Sequence, residues 1–340
     1  MSLKQTLLAP ALKAGETIGF FSASCPATVT APHRFQRAKA FLESKGFRLK
    51  AGNLTGRSDY YRSGSIAARA DELNALIRDP EVRCIMSTIG GSNSNSLLPY
   101  LDYAALMDDP KIIIGYSDTT ALLAGIYART GLVTFYGPAL VASFGEFPPF
   151  VHETYQSFSE VLMPSHAGAY YYTLPARWTD ERLNWDDVTP VRPKACYANN
   201  CHFSGTGIVR GRVKGGNLNT LSGIMGSPWM PEIAQGDILF IEDSMKDIAT
   251  VERAFSMLKL NGIFDRVSAI ILGKHELFDD AGSGRTPADV LREVLAGQDL
   301  PLVEGFDCCH THPMLTLPLG AELSLDFDDR RVAIIGQYLR

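Results

Sequence analysis

The stretch Lys111-Ile112-Ile113-Ile114-Gly115-Tyr116-Ser117-Asp118-Thr119-Thr120 joins an apolar run to a turn that carries a serine and then to a helical pattern. A strand that ends in such a turn lifts the Ser117 hydroxyl above the sheet edge and leaves helical N–H groups able to hold an oxyanion. The match to the hydrolase elbow Gly-x-Ser-x-Gly is partial, because Thr119 replaces the second glycine. Ser-Asp-Thr-Thr is also an ordinary helix N-cap sequence. Ser117 is therefore either a nucleophile or a cap.

Short β-type runs alternate with helical patterns around this corner, which predicts a parallel sheet with crossover helices. In the first half we expect strands at Thr17–Ser22, Phe47–Ala51, Cys84–Ile89 and Lys111–Ile114, and helices at Pro32–Lys45, Ile66–Arg78, Leu97–Leu101 and Thr119–Thr130. In the second half we expect strands at Gly207–Lys214, Asp237–Glu242, Val267–Leu272 and Leu302–Phe306, helices at Ile248–Leu260 and Pro287–Leu295, and a closing hairpin of Glu322–Phe327 with Arg331–Ile335.

Length and composition exclude several classes of protein. A chain of 340 residues with 46% hydrophobic and 20% charged residues is globular and long enough for two domains. Its net charge of -5 disfavours a nucleic-acid partner, which normally requires a concentrated basic stripe. No stretch approaches the length of a membrane span and no secretory signal is visible. We therefore expect a cytoplasmic protein with no nucleic-acid or membrane partner.

Six cysteines are scattered along the chain, and this distribution predicts reduced, buried thiols rather than a disulfide framework. The cluster Cys308-Cys309-His310-Thr311-His312 resembles a metal-binding motif but lacks a second Cys-x-x-Cys pair. We expect no metal and no cofactor. A zinc site on this cluster remains an alternative that elemental analysis would detect.

The periodic pattern stops between about Pro148 and Pro193, in a segment rich in Pro, Tyr and Trp. We divide the chain there into an N-terminal α/β domain (1–165), a linker with an aromatic loop (166–195) and a C-terminal β/α domain (196–340). The loop carries Trp178 and Trp185, which either pack internally or form a stacking surface for a flat substrate group.

Ligands of open α/β sheets bind beyond the carboxyl ends of the strands, where Ser117 and Gly90-Gly91 are expected. Glycines in that turn let backbone amides approach a ligand, although a plain tight turn is the alternative. Polar residues in similar loops are candidates for substrate binding or are merely solvated; they are Asn93, Ser94, Asn95 and Asn217. Lys246 and Glu276 either select charged parts of a substrate or form surface salt bridges. Gly215, Gly216 and Asn217 are otherwise a β-turn.

A serine nucleophile needs a base, and the base needs a group that orients it. His310 is the best placed histidine because it directly follows a predicted strand, and His275 is second. Glu242, at the end of an apolar strand, is a candidate acid, although carboxylates at strand ends are usually solvated or cap helices.

Together these segments resemble the LD-carboxypeptidase family of serine peptidases (peptidase family S66). The resemblance rests on Gly115-Tyr116-Ser117-Asp118-Thr119, Ile241-Glu242-Asp243 and the His310 segment, and it extends over nearly the whole chain. It implies a flavodoxin-like N-terminal domain, a Ser-Glu-His triad of Ser117, Glu242 and His310, and a homodimer. It also implies an oxyanion hole formed by the amides of Gly91 and Asp118. His312 departs from the family motif, which has Asp at that position.

Within the family, the Asn-Ser run after Gly91 and the two tryptophans are closer to the microcin immunity branch. That resemblance implies hydrolysis of the amide between an aminoacyl group and a nucleotide, with loop aromatics stacked on the base. Murein tetrapeptide carboxypeptidase activity, which releases D-alanine, is one alternative. A catalytically silent nucleotide-binding protein is another, and a serine-directed phosphonate would distinguish it from both enzymes.

Overall fold

The first half of the chain folds into strands and helices that alternate, in a computed structural model that describes residues 6–165, 168–183 and 185–340. The strands are β1 (Thr17–Phe21), β2 (Arg48–Ala51), β3 (Val82–Ser87), β4 (Ile112–Gly115) and β5 (Thr134–Tyr136). The α-helices are α1 (Ala27–Thr30), α2 (Pro32–Ser44), α3 (Ile66–Arg78), α4 (Tyr103–Asp108), α5 (Thr120–Thr130) and α6 (Phe150–Leu162). This half also contains 3₁₀ helices at Ser94–Tyr100 and Ser117–Thr119 and a π-helix at Leu140–Phe144.

These five strands are parallel and lie in the order β2-β1-β3-β4-β5. That is the flavodoxin-like order, so the predicted class of the N-terminal domain is confirmed. β4 is buried along its whole length, as expected for a central strand of a parallel sheet that helices cover on both faces. Its carboxyl end delivers Ser117 to the edge of the sheet where ligands of this class of fold bind.

The second half forms a mixed sheet. The strands of this half of the chain are β6 (Tyr170–Tyr171), β7 (Arg177–Trp178), β8 (Tyr197–Ala198), β9 (His202–Ser204), β10 (Ile208–Asn217), β11 (Ile238–Glu242), β12 (Ala269–Gly273), β13 (Leu302–Phe306), β14 (Leu317–Leu319), β15 (Glu322–Asp326) and β16 (Arg331–Ile334). Its helices are α7 (Leu218–Ser222), α8 (Ile248–Leu260) and α9 (Pro287–Leu295). The strand order is β6-β16-β15-β10-β11-β12-β13-β9, with β10 to β13 parallel. The predicted mixed C-terminal domain and its closing hairpin are confirmed.

One C-terminal strand belongs to the N-terminal sheet. β14 pairs with β5 in antiparallel register, with Leu317 opposite Tyr136. The chain between β13 and β14 therefore leaves one sheet and ends in the other. His310 lies on this crossing segment, which brings it to the junction of the two sheets. The exact domain bounds given above remain a prediction.

The structure corrects the prediction for the segment after Pro148, which contains α6 rather than only irregular chain. The buried face of α6 includes two hydroxyl residues, which obscured its apolar periodicity. Thr154 accepts a hydrogen bond from the Met314 amide at 3.0 Å, and Ser157 accepts one from the Thr316 amide at 3.0 Å. These polar positions therefore anchor the segment that follows His310.

The strand predicted to end at Lys214 continues to Asn217, so Gly215 and Gly216 lie in β10 and do not form a β-turn. Both have φ near +140°, which disfavours any residue with a side chain. A Cβ at Gly215 would overlap the Phe240 carbonyl, and one at Gly216 would meet Thr120 of α5. Gly215 therefore allows the close pairing of β10 with β11, and Gly216 lets the second sheet approach the helix that follows Ser117.

No helix among the described residues combines the length and apolar character that spanning a bilayer requires.

Candidate active site

Ser117 occupies a sharp corner between β4 and α5. Its φ of +60° lies in the left-handed region that residues other than glycine rarely adopt, and such strain is typical of functional turns. The residue that precedes α5 is Thr119, and the Ser117 side chain forms no cap hydrogen bond to that helix. The N-cap interpretation of Ser117 is therefore wrong, and its hydroxyl is available at the mouth of a cavity.

The glycine turn after β3 lies directly against this corner. A Cβ at Gly90 would come within 2.8 Å of Ser117 Oγ and 3.2 Å of the Asp118 nitrogen. Gly91 has a φ of +151°, and a side chain there would collide with Ser24. Only glycines allow this backbone to approach the serine so closely, and both line the cavity with Ser117.

Asn93 and Ser94 brace the corner from behind. The Asp118 carboxylate accepts hydrogen bonds from the amides of Asn93 at 3.2 Å and Ser94 at 2.9 Å, and from the Ser24 hydroxyl. The Ser94 hydroxyl donates to the Asp118 carbonyl at 2.6 Å. These contacts fix the Asp118 amide. The structure thus gives Asn93 and Ser94 a supporting position instead of placing them on the cavity wall.

Glu242 and His310 meet from different parts of the second half. Glu242 ends β11 and is fully buried, and its Oε2 lies 2.6 Å from His310 Nδ1. This contact orients the imidazole and leaves Nε2 as its other ring nitrogen. His310 and Ser117 line the same cavity of about 400 Å³. The three predicted triad residues therefore converge at one site.

Burial and charge act in opposite directions on this pair. Burial disfavours the imidazolium, but the carboxylate of Glu242 outweighs it and raises the pKa of His310. Burial also disfavours the carboxylate, but the charge of His310 and hydrogen bonds from His310, Tyr136 and Asn217 lower the pKa of Glu242. The pair can thus accept a proton on His310 while Glu242 stays ionised.

Tyr136 connects Ser117 to Glu242. Its hydroxyl donates to Glu242 Oε1 at 2.6 Å and accepts the Ser117 amide at 3.1 Å. Sequence reasoning missed this residue because it did not identify β5. The apolar run that ends before Gly137-Pro138 was a usable signal for that strand.

Asn217 also supports the carboxylate of Glu242. Its Nδ2 donates to Glu242 Oε1 at 3.0 Å and to Asp243 at 3.2 Å. Its backbone amide donates to the Thr120 hydroxyl at 3.0 Å, across the junction of the two sheets. Asn217 lines the cavity, but its side-chain amide is hydrogen-bonded to Glu242.

The cavity is also lined by an aromatic ring and two cations. Trp185, which is 36% exposed, lines the cavity with Arg182 and Lys246. Asn219 lines it as well, at the start of α7. Arg182 and Asn219 were not among the predicted binding residues, although both lie in motifs that the sequence made conspicuous.

The structure brings only one of the two loop tryptophans to the cavity. Trp178 belongs to β7 and packs on Tyr197 of β8, with ring centroids 4.9 Å apart and Lys274 5.4 Å from its ring. It is not among the described residues that line the cavity. Trp178 is therefore the tryptophan that packs internally, whereas for Trp185, which lines the cavity, stacking on a substrate group stays a prediction.

Glu276 acts through a neighbour. It is buried, binds Arg182 through two hydrogen bonds of 3.0 and 2.7 Å, and accepts one from the Ser244 hydroxyl. It therefore orients a cavity cation and does not itself line the cavity among the described residues.

His275, which was the second candidate for the base, and His312 make contacts of their own. His275 is packed between Phe255 and Phe278, and burial lowers its pKa to about 4, which disfavours it as the base. His312 lies 3.5 Å from buried Glu146, and burial lowers its pKa to about 4.

Cys308 donates to the Tyr136 carbonyl, and Cys309 contacts the Thr311 hydroxyl. Among the described residues, no three His, Cys, Asp or Glu side chains are arranged to hold a metal ion.

A strained serine, a buried Glu-His pair and a glycine turn in one cavity define a serine hydrolase site. The sequence agrees with that class. Residues 18–137 match the LD-carboxypeptidase N-terminal domain of peptidase family S66, and residues 210–325 match the C-terminal domain. The chain therefore belongs to the LD-carboxypeptidase family, and it is a serine peptidase of that family.

Individual relatives refine the comparison. The chain is 65% identical to the microcin C7 self-immunity protein MccF of Escherichia coli over 98% of this chain and 97% of that protein. It is 61% identical to a putative carboxypeptidase of Vibrio cholerae over 98% and 99% of the two chains. A probable murein peptide carboxypeptidase of Bacillus subtilis is 26% identical over 95% and 93%.

Solved structures of MccF superpose on this chain with a TM-score of 0.97, covering 98% of this chain and 100% of the solved one. They include complexes with aspartyl sulfamoyl adenosine and with glutamyl sulfamoyl guanosine. One active-site mutant of that protein replaces a serine, an asparagine and a lysine by alanine.

Proposed function

We propose that this enzyme hydrolyses the amide bond between an aminoacyl group and a nucleotide moiety, and so detoxifies aminoacyl nucleotides. The observation that carries the proposal is the cavity itself. Ser117 and His310, with Glu242 hydrogen-bonded to the imidazole, share this cavity with the indole of Trp185. The ligands seen in MccF have an aminoacyl group and a nucleobase at their two ends, which suits this division.

The reaction proceeds by acyl transfer. His310 Nε2 takes the proton of Ser117 Oγ as the oxygen attacks the amide carbonyl, while Glu242 stabilises the imidazolium. The amides of Gly91 and Asp118 hold the oxyanion of the tetrahedral intermediate. His310 then protonates the leaving nitrogen, and the C–N bond breaks. Water, deprotonated by His310, hydrolyses the acyl-serine and regenerates the free hydroxyl.

Lys246 and Arg182, the two cations that line the cavity, select the substrate. Both aminoacyl groups bound by MccF carry a carboxylate side chain, and Lys246 provides a positive charge for such a group here. Asn219 adds an amide beside it, in agreement with the residue types replaced in the active-site mutant of MccF. Arg182, held by Glu276, faces the cavity as a second cation for the linker between the aminoacyl and nucleoside groups.

The test compares two substrates. Purified protein is incubated with aspartyl sulfamoyl adenosine and, separately, with murein tetrapeptide, and release of free amino acid is followed. Ser117→Ala is the control. We expect release of aspartate from the adenosine compound only. Release of D-alanine alone would overturn the proposal, and no release from either substrate would favour a silent binding protein.

Murein tetrapeptide carboxypeptidase activity is the second candidate, because one observation favours it. The terminal carboxylate of a peptide requires a cation, and the cavity offers Arg182 and Lys246. That activity gives no role to Trp185, which is the reason we rank it second.

A cytoplasmic location and a homodimer complete the proposal. None of the six cysteines, all of which lie in the described ranges, forms a disulfide, as expected in a reducing compartment. The homodimer rests on the family resemblance. Light scattering coupled to gel filtration tests it, with a mass of twice 37.1 kDa expected and a mass of 37.1 kDa contradicting it.

A further inference from the structure

Arg34 of α2 lies behind the indole of Trp185. It is fully buried, and its guanidinium carbon is 3.8 Å from the centroid of the Trp185 ring. Trp185 nevertheless lines the cavity and is 36% exposed. One side of the indole is therefore covered by a buried cation, while part of the ring remains accessible from the cavity.

The protein core fixes the guanidinium on its far side. Nε donates to the Val141 carbonyl at 2.9 Å, and Nη2 donates to the Ala142 carbonyl at 2.7 Å and to Glu146 at 2.8 Å. Val141 and Ala142 belong to the buried π-helix. A Cβ at Gly145 would collide with the Arg34 side chain, so the position beside Arg34 requires a glycine. Arg34 is therefore held in one orientation.

The same residue holds the backbone of the loop. Arg34 Nη1 donates to the Trp185 carbonyl at 3.1 Å, and the Arg34 amide donates to Asp186 Oδ1 at 2.8 Å. The ring and the main chain of Trp185 thus contact one anchor on a rigid helix. Without these contacts, the indole would have to be ordered when a ligand binds, which weakens binding.

We propose that Arg34 is a positioning residue for nucleobase recognition, which holds the Trp185 indole so that its accessible face stacks on the base of the substrate. This inference rests on the proposed function, because it assigns the loop side of the same cavity. A planar guanidinium stacks on an aromatic face in a way that a lysine ammonium does not. Arg34→Lys therefore keeps the charge and removes the flat support.

The experiment compares an aminoacyl sulfamoyl adenosine with the corresponding aminoacyl sulfamoyl ribose, which lacks the base. We expect Arg34→Lys to lower kcat/KM for the adenosine compound about tenfold through KM, and to change the base-free compound less than twofold. Trp185→Ala should remove the same preference, and the double variant should lose no more. Equal losses on both substrates, or no loss on either, would overturn the inference.

Arg37→Lys is the matched control. Arg37 lies one turn further along α2 and donates to the Asp187 carbonyl at 2.8 Å, but its guanidinium lies over Phe147 and not over Trp185. It should keep the wild-type preference for the adenosine compound. If Arg34→Lys fails to fold, Asp186→Ala removes the hydrogen bond between the Arg34 backbone amide and the loop residue next to Trp185. A loss of about threefold confined to the adenosine compound is then expected.

Equilibrium binding separates this inference from the proposed function. Adenosine monophosphate is titrated calorimetrically into the Ser117→Ala protein with and without Arg34→Lys. An affinity about tenfold weaker in the double variant supports the inference even if the wild type hydrolyses no aminoacyl nucleotide. Equal affinities, or no binding to either protein, would contradict it.

Discussion

The two walls of the cavity are constructed differently. On the catalytic wall, Ser117 and His310 line the cavity. They are supported by Glu242 and Tyr136, which end buried strands, through hydrogen bonds of 3.1 Å or less. On the recognition wall, Trp185 and Arg182 lie on an irregular loop and are held by distant residues. Under the function proposed above, the catalytic wall carries out the acyl transfer, whereas the loop determines which substrate is cleaved.

The largest effect should follow loss of the nucleophile. Ser117→Ala should lower kcat by on the order of 10⁴ to 10⁶, because the acyl-serine cannot form. A fluorophosphonate should add to the wild type at Ser117 alone and not to this variant. Ser159→Ala, at a partly exposed serine of α6, is the control and should remain fully active. Retention of more than about a tenth of the wild-type rate by Ser117→Ala would contradict the assignment.

Glu242→Gln should lower kcat by about 10⁴ and also alter the pH profile. The base must be neutral to act, and Glu242 raises the pKa of His310, so wild-type kcat/KM should fall on acidification through a pKa above the ordinary 6.5. The variant loses the carboxylate but keeps the burial that lowers this pKa. Its acid limb should therefore move to lower pH, and an unchanged limb would show that His310 does not control it.

Tyr136→Phe should reduce kcat by about ten- to a hundredfold for every substrate, because it removes a donor to Glu242 and leaves the partly buried Ser117 amide without its acceptor. The stranded amide should also cost about 1–3 kcal/mol in the free energy of unfolding. Tyr172→Phe is the matched control, since this buried hydroxyl donates at 2.7 Å to the Thr316 carbonyl. It should affect stability but leave kcat unchanged.

The smallest effect should lie on the recognition wall. Trp185→Ala should raise KM for an aminoacyl sulfamoyl adenosine about tenfold, as expected for loss of one stacked base, with kcat retained. Trp178→Ala removes the other loop tryptophan, which packs on Tyr197, and KM should not change. A larger effect of Trp178→Ala on KM would mean that the two residues have been assigned the wrong way round.

The same contrast explains what could be predicted from the sequence. Ser117 follows one apolar strand and Glu242 ends another, and both strands are visible locally. The carboxyl ends of parallel strands are where ligands bind, so each residue could be chosen separately, although the two strands belong to different sheets. The parallel sheet of the first half and the closing hairpin follow from similar local signals, whereas the flavodoxin-like order was implied by the family resemblance. Even on this wall, Tyr136 was missed, because β5 has only three residues.

The recognition wall depends on contacts between residues far apart in sequence. Nothing local distinguishes Trp185 from Trp178; the difference arises from Arg34 behind one ring and Tyr197 against the other. Arg182 likewise requires Glu276, which is 94 residues away. The strand position of Gly215 and Gly216 became clear only from their close approach to Phe240 and Thr120.

The most direct test of this division of labour is the ratio of kcat/KM for an aminoacyl sulfamoyl adenosine to that for its base-free analogue, measured in the wild type, Tyr136→Phe and Trp185→Ala. We predict that Tyr136→Phe slows both substrates equally and leaves the ratio unchanged, whereas Trp185→Ala lowers the ratio about tenfold. An equal loss on both substrates in Trp185→Ala would contradict the account.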